Sequence, residues 1–245
     1  MRDLSSLLSR TPPPGEPWYG RDGGERFRSD RDLVRSQFPR IRHLIDPLAH
    51  RVFLEGELVI RGDAGVPERV AVRVEFGDGY PAYEPSAYEP VGRFPRIADR
   101  HLYPDGRCCL WIEQESRWDG GDPEGLRRFL DEVALFFDRQ LICDLTGSFP
   151  GPQRGHGVDG YVEFARDVLG GDAVLAAMLP LLCGRKTVAG GDRCPCGSGR
   201  RFRRCHEPAV ARVFRNVDRR WMQGEFRSWS RPAASAACCG GQTRC

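Results

Sequence analysis

The sequence predicts an α+β chain: an antiparallel sheet flanked by helices, with a small cysteine-rich module appended. The prediction rests on period-two alternation over 69–76, a helical-period apolar stripe over 124–142, and thiols clustered with a histidine at 194–206. A length of 245 residues allows one sizeable core and one small accessory, and 40% hydrophobic with 10% aromatic residues is a globular composition. The formal charge of +3 is too small to mark a protein that coats nucleic acid, so any basic partner surface has to be local.

Residues 1–28 are rich in Gly, Pro and Arg without apolar periodicity and read as a flexible arm, with local order around Trp18 and Tyr19. Leu33, Val34 and Phe38 then recur at helical spacing, with Ser29 or Asp30 as N-cap and Pro39 as terminator. RVFLEGELVI (51–60) and ERVAVRVEF (68–76) read as strands joined by a hairpin turn over RGDAGVP. In the second strand Val70, Val72, Val74 and Phe76 alternate with Arg69, Ala71, Arg73 and Glu75, the pattern of a sheet with one wet face. Residues 76–95 carry four prolines and three tyrosines, which predicts an ordered but irregular run. Leu126, Phe129, Leu130, Val133, Phe137 and Leu141 form one apolar face of a helix over 124–142. A glycine-rich loop leads into helices over 161–169 and 172–183, and a continuous amphipathic helix is expected from Glu207 to about Trp221.

No apolar run nears the roughly 18 residues of a membrane span, and the N-terminus lacks a secretory apolar core. The expectation is a cytoplasmic protein without a membrane partner, whose ten cysteines serve as thiols and metal ligands and not as disulfides.

In CPCGSGRRFRRCH, Cys194 and Cys196 stand one residue apart, and Cys205 and His206 are adjacent after eight more. Three thiolates and one imidazole make a closed tetrahedral set for Zn²⁺, a structural site with no open position for a catalytic water. Gly197 and Gly199 allow the reversal between the ligand pairs. The segment resembles the SEC-C zinc motif at the end of the bacterial SecA translocase, which implies a structural zinc and a docking partner. Arg200, Arg201, Arg203 and Arg204 around it suit a solvated surface or a face for nucleic acid, a ribosome or an acidic protein.

The adjacent thiols Cys108 and Cys109 lie in HLYPDGRCCLWIEQESRW, residues 101–118. In chain order come a strand, a Tyr-Pro run (Tyr80, Pro81, Pro85), His101, Gly106, Cys109-Leu110, Trp118 and a long amphipathic helix. Over roughly residues 29–170 this order resembles a ubiquitin-conjugating enzyme, with Gly106-Arg107-Cys108-Cys109-Leu110 at the family's Gly-x-x-Cys-Leu element. The resemblance implies that Cys109 is the nucleophile carrying a ubiquitin-like protein as a thioester, while Cys108 takes a position of apolar packing. It also implies an activating enzyme and a protein acceptor as partners, and the bacterial relatives belong to antiviral defence. His101 matches the family's histidine, but Leu102 and Tyr103 replace the proline and asparagine that follow it, so Tyr103 is the substitute candidate. His156-Gly157 matches a bacterial subgroup and makes His156 a candidate to orient the incoming nucleophile, beside its plain reading as a loop residue at a helix start.

The expected organisation is an arm over 1–28, a conjugating-like domain over 29–183, a linker over 184–192, the zinc module and helix over 193–228, and a disordered tail over 229–245. Three function classes stay open: a conjugating enzyme, a catalytically inactive scaffold whose zinc module recruits a partner, and a cysteine peptidase using Cys109 and His156. No phosphate cradle of the GxGxxG or GxxxxGK[ST] type opens a helix, so the chain is not expected to activate a carboxyl itself.

Overall fold

The alternating valines build an antiparallel four-stranded sheet in the order β1-β2-β3-β4, from Ile41–Asp46, Arg51–Ile60, Glu68–Phe76 and Ser86–Tyr88. Register places Val52 against Phe76, Leu54 against Val74 and Leu58 against Val70, so like faces coincide across the central pair. Those six side chains are buried. A computed structural model describes residues 17–46, 51–60, 67–151 and 153–230. The expected hairpin turn over RGDAGVP lies largely outside them, as do most of the N-terminal arm and residues 231–245 of the tail.

β1 is an element that the sequence reading missed. Only Ile41 is buried in it and Leu44 and Ile45 are exposed, so this edge strand carries no alternation to read. Gly56 lets it approach: a Cβ there would stand 2.0 Å from the Arg40 carbonyl oxygen.

Helix α1, Glu25–Gln37, starts earlier than the expected cap at Ser29 or Asp30. Gly24 precedes it at φ 74°, and Asp30 sits inside the helix with 1% exposure. Within the arm expected over 1–28, the described residues 17–28 are ordered. Trp18 is buried against Tyr80 and Phe76, with ring centroids 4.6 and 5.3 Å away. Aromatic burial at 150–250 Å² per ring, in the usual range, overrides a locally loop-like composition.

Helix α2, Gly125–Thr146, lays Leu126, Phe129, Leu130, Val133, Phe136 and Phe137 into the same core as β2 and β3. Gly147 at φ 77° ends it, donating its N–H to the Cys143 carbonyl.

The chain divides into two compact units, one reaching Trp111 and resuming over Glu115–Pro152, the other comprising Ile112–Gln114 and the chain from Gln153 onward. The division expected at 183–184 therefore falls near 152–153. The cause is that α3 (Val158–Leu169) and α4 (Asp172–Leu182) share a core with the cysteine knot, α5 (Glu207–Val213) and α6 (Arg219–Trp229). Val162, Ala165, Leu182, Phe202, Val210, Met222 and Phe226 are buried there.

The continuous helix expected over 207–221 is broken in two. Asn216 takes a left-handed φ of 61°, and the Asp218 carboxylate caps α6 by accepting the Trp221 N–H at 2.8 Å. The stretch expected as a linker, 184–192, is folded: Asp192 accepts the Ala189 N–H on its side chain and the Phe202 N–H on its carbonyl, both at 2.8 Å. The tail expected from 229 starts with the end of α6, where Trp229 is still helical. Among the described residues, no helix is long and apolar enough to cross a membrane.

Candidate metal centre and candidate thiol site

The cysteine knot is a tight reversal. The Cys194 N–H bonds the Arg200 carbonyl at 2.9 Å, and Arg193 bridges Arg201. Gly197 and Gly199, at φ 82° and 73°, make the turn between. A 3-10 turn at Phe202–Arg204 returns the chain, so Cys205 and His206 arrive opposite Cys194 and Cys196. One ligand atom from each of the four lies within 4.8 Å of the others. His206 Nδ1 is 3.3 Å from both the Cys194 and Cys205 sulfurs, and the Cys196 and Cys205 sulfurs are 3.6 Å apart.

These separations suit a tetrahedral zinc, whose bonds of about 2.3 Å to sulfur and 2.0 Å to nitrogen space the ligands roughly 3.5–3.8 Å apart. The other imidazole nitrogen, Nε2, lies 3.2 Å from the Leu169 carbonyl oxygen at the end of α3. With Nε2 protonated, that bond presents Nδ1 as the lone pair facing the thiols, the usual outer-shell arrangement for a ligating histidine. Ser198, in the glycine turn, places its hydroxyl oxygen 3.2 Å from the Cys196 sulfur and 3.3 Å from that of Cys205. Its hydrogen bond draws the Cys196 thiol down to about 6, whereas burial pushes Cys194 up to about 11. A cation bound by the set would favour the thiolate form of its cysteines, since metal binding releases the thiol protons.

The second thiol site lies in the first unit. Arg100 closes a 3-10 turn, Ala98–Arg100, and clamps it to α2: its guanidinium donates to Gln140 Oε1 at 2.7 Å, the Gln140 carbonyl at 2.9 Å and Asp144 at 2.6 Å. The Gln140 amide donates back to the Arg100 carbonyl. His101 follows at φ 51°, its ring 4.8 Å from that of Phe149, and its carbonyl accepts the Cys109 N–H at 2.8 Å. On the other side the Cys108 N–H reaches the Ala87 carbonyl in β4 at 2.8 Å, and Leu102 bridges Cys108. The segment is thus fixed from both sides.

Cys108 is buried and Cys109 half-buried. Burial is the first cause that lifts the Cys108 thiol far above the ordinary range, with the nearby Glu89 charge adding to it. Tyr103 is half-buried, with the Arg107 guanidinium 4.2 Å from its ring centroid. His156 is exposed just before α3 and belongs to the second unit, whereas His101, Tyr103 and Cys109 share the first.

Residues 192–208 match the SEC-C motif. The match contains all four candidate ligands, Ser198 and the knot arginines, and it covers only this short segment of the chain. No curated protein matches the sequence. Among solved structures, the chain is similar to the yeast vps23 UEV domain in complex with a vps27 PSDP peptide. That similarity has 13% identity and a TM-score of 0.37, over 55% of this chain and 86% of that one.

Three supports of these sites escaped the sequence reading. Ser198 was visible as the middle of Gly-Ser-Gly, but its approach to two sulfurs was not. The Arg100–Gln140 clamp spans 40 positions and has no local signal. Glu89 is fully buried and accepts the N–H groups of Val91, Gly92 and Arg93 at 3.2, 2.7 and 3.1 Å, which shapes the loop leaving β4.

Proposed function

We propose that the first unit is a conjugating-type transferase that holds the C-terminal acyl group of a ubiquitin-like protein on Cys109, and that the second unit contains a structural zinc. The observation that carries the reading is the division of labour between adjacent thiols: Cys108 is buried and Cys109 is not, on a segment fixed by backbone bonds at both cysteines. The order of motifs around Cys109 supports it.

In the first step the Cys109 thiolate attacks the carbonyl carbon of an acyl group already carried as a thioester by an activating enzyme. The new C–S bond forms, the old one breaks, and the activating enzyme's sulfur leaves as thiolate. In the second step an acceptor amine attacks the same carbon, a C–N bond forms, Cys109 sulfur leaves as thiolate, and the amine proton passes to base or solvent. The four-ligand metal set leaves no protein-free position in a tetrahedral site, so its contribution is to folding and docking.

A second reading, a binding scaffold without transfer, has one observation in its favour. Tyr103 stands where the family has an asparagine, and Arg107 covers its ring. One experiment separates the two. The full chain is incubated with a ubiquitin-like protein, its activating enzyme and ATP, and then resolved on a non-reducing gel. Transfer gives a reductant-sensitive adduct that survives Cys108→Ser and is lost, or replaced by a reductant-resistant oxyester, in Cys109→Ser. A scaffold gives no adduct in any of them, and an adduct lost in Cys108→Ser alone would place the chemistry on Cys108 and overturn the Cys109 assignment.

A further inference from the structure

Between α1 and β1 lies a cleft of about 400 Å³ lined by Arg31, Arg35, Pro39, Ile41, Arg42 and His43. Among the described residues, no acidic one lines it. Arg31 and Arg35 stand four apart on α1 and so share a helix face, while Arg42 comes from the edge strand. Among the described residues, Arg31 alone of the three has an acidic partner, Asp32 at 3.3 Å, on a side chain 68% exposed. Arg35 and Arg42 have no ion pair or hydrogen-bonded side-chain partner among the described residues. By comparison, Arg73 in β3 pairs with Glu55 and Glu75, and Arg93 beyond β4 pairs with Glu68.

We propose that this cleft binds a phosphate-type oxyanion carrying more than one phosphoryl group or one phosphate with an organic substituent. A guanidinium is a planar fork that cannot lose its proton, and its best partner is an oxyanion met in bidentate fashion. A carboxylate has two oxygens and one charge, enough for one fork. A phosphate presents several acceptor oxygens and up to two charges, so it can be shared by forks arriving from two elements. The volume lies within the roughly 300–1,000 Å³ of small-molecule sites, and it exceeds what a single phosphate fills. Pro39 and Ile41 supply an apolar part to the lining.

His43 reinforces the assignment by what it does not contribute. Both of its ring nitrogens are buried and lack hydrogen-bond partners among the described residues. Burial, with the Arg31 charge second, lowers its titration to about 4, so at neutral pH the positive charge of the cleft comes from the arginines alone.

The test is calorimetric titration of the full chain with inorganic pyrophosphate in a phosphate-free buffer, at ionic strength held constant with sodium chloride. Saturable binding at one site per chain is expected, weakened at least tenfold in the double variant Arg35→Gln, Arg42→Gln. Both side chains are exposed, so the variant is expected to keep its fold, which circular dichroism and the unfolding midpoint verify. A control variant, Arg200→Gln with Arg204→Gln on the cysteine knot, is expected to bind as the parent does. A second arm with adenosine diphosphate distinguishes sources: tighter binding than pyrophosphate points to a nucleotide, weaker binding to an inorganic diphosphate, and loss in the cleft variant supports the site in either case. Absence of saturable binding, binding that survives the cleft variant, or binding lost in the knot variant overturns the proposal. So does a silent pyrophosphate titration beside tight, cleft-dependent binding of polyglutamate, which would mark an acidic protein surface as the occupant.

Discussion

The Tyr80 hydroxyl donates to Asp30 Oδ2 at 2.6 Å, joining the irregular run after β3 to the middle of α1. Arg26 closes the triangle, bonding Asp30 Oδ2 and the Tyr80 oxygen at 2.9 Å each, and reaches on to the carbonyls of Gly120 and Asp122 at 3.2 Å. Burial pushes the Asp30 carboxyl up, against the pull of Tyr80 and Arg26. Tyr80→Phe keeps the ring packing on Trp18 and Phe76 but removes a donor from a buried carboxylate. The expected cost is about 1–3 kcal/mol, measured by urea unfolding at pH 7. An unchanged midpoint would show that the Tyr80 hydroxyl adds nothing to stability.

His43 predicts a pH dependence with a definite sign. Its titration falls from an ordinary 6.5 to about 4, first by burial and then by the Arg31 charge. Arg35 and Arg42 line the same cleft. Between the two values the unfolded chain binds the proton and the folded chain does not. Its contribution is therefore present above pH 6.5 and is lost as pH falls toward 4. With a discount for the part of the ring open to solvent, about 1–2 kcal/mol is expected to disappear over that window. Urea unfolding at pH 7.5 and 4.5 is expected to show a smaller difference in His43→Gln than in the parent; equal differences would remove His43 as the cause.

Much of the architecture was legible where one local signal sufficed. Strands β2 and β3 follow from alternation, α2 from its apolar stripe, and the metal set from residue type and spacing. What remained hidden depends on contacts distant in sequence. Trp18 sits in a stretch that reads as a flexible arm and Asp30 reads as a cap candidate, and contacts with Phe76 and Tyr80, fifty or more positions away, help to make them core. The break within 207–221 was locally visible in Asn216 and Asp218, a left-handed residue and a capping residue, but the apolar period of Val210, Val213, Val217 and Trp221 masked it. Of the thiols, only the resemblance to the conjugating family suggests which one packs; burial could not be read before the fold was known.

The metal reading predicts about one zinc per chain by elemental analysis and none in Cys205→Ser. The knot shares its core with α3, α5 and α6, and His206 is held by the Leu169 carbonyl. Metal loss is therefore expected to reach well upstream of the knot. Hydrogen exchange after chelation should rise across residues 158–229, while β2 and β3 keep their protection. Exchange that rises only beyond residue 190 would show instead that the knot folds independently of α3.

Gly106 sets the path of the thiol segment, at φ 89° with its carbonyl accepting the Glu89 N–H at 2.8 Å. A Cβ at this position would stand 2.4 Å from the Glu89 carbonyl oxygen, backbone that cannot swing aside. Gly92 is the natural control: its φ is 74°, but a Cβ there meets nothing within 4 Å. Gly92→Ala should cost only the left-handed strain, about 1–2 kcal/mol. Gly106→Ala adds loss of the Glu89 pairing and is expected to cost about 2–4 kcal/mol. Cys108 provides a local readout because its N–H bond to Ala87 lies two residues from the clash, and burial keeps its thiol protonated and slow to react. Alkylation followed by mass spectrometry is expected to label Cys109 before Cys108 in the parent and in Gly92→Ala, and to label both in Gly106→Ala. Equal unfolding costs and an unchanged labelling order in the two variants would show that the segment holds its place without the glycine.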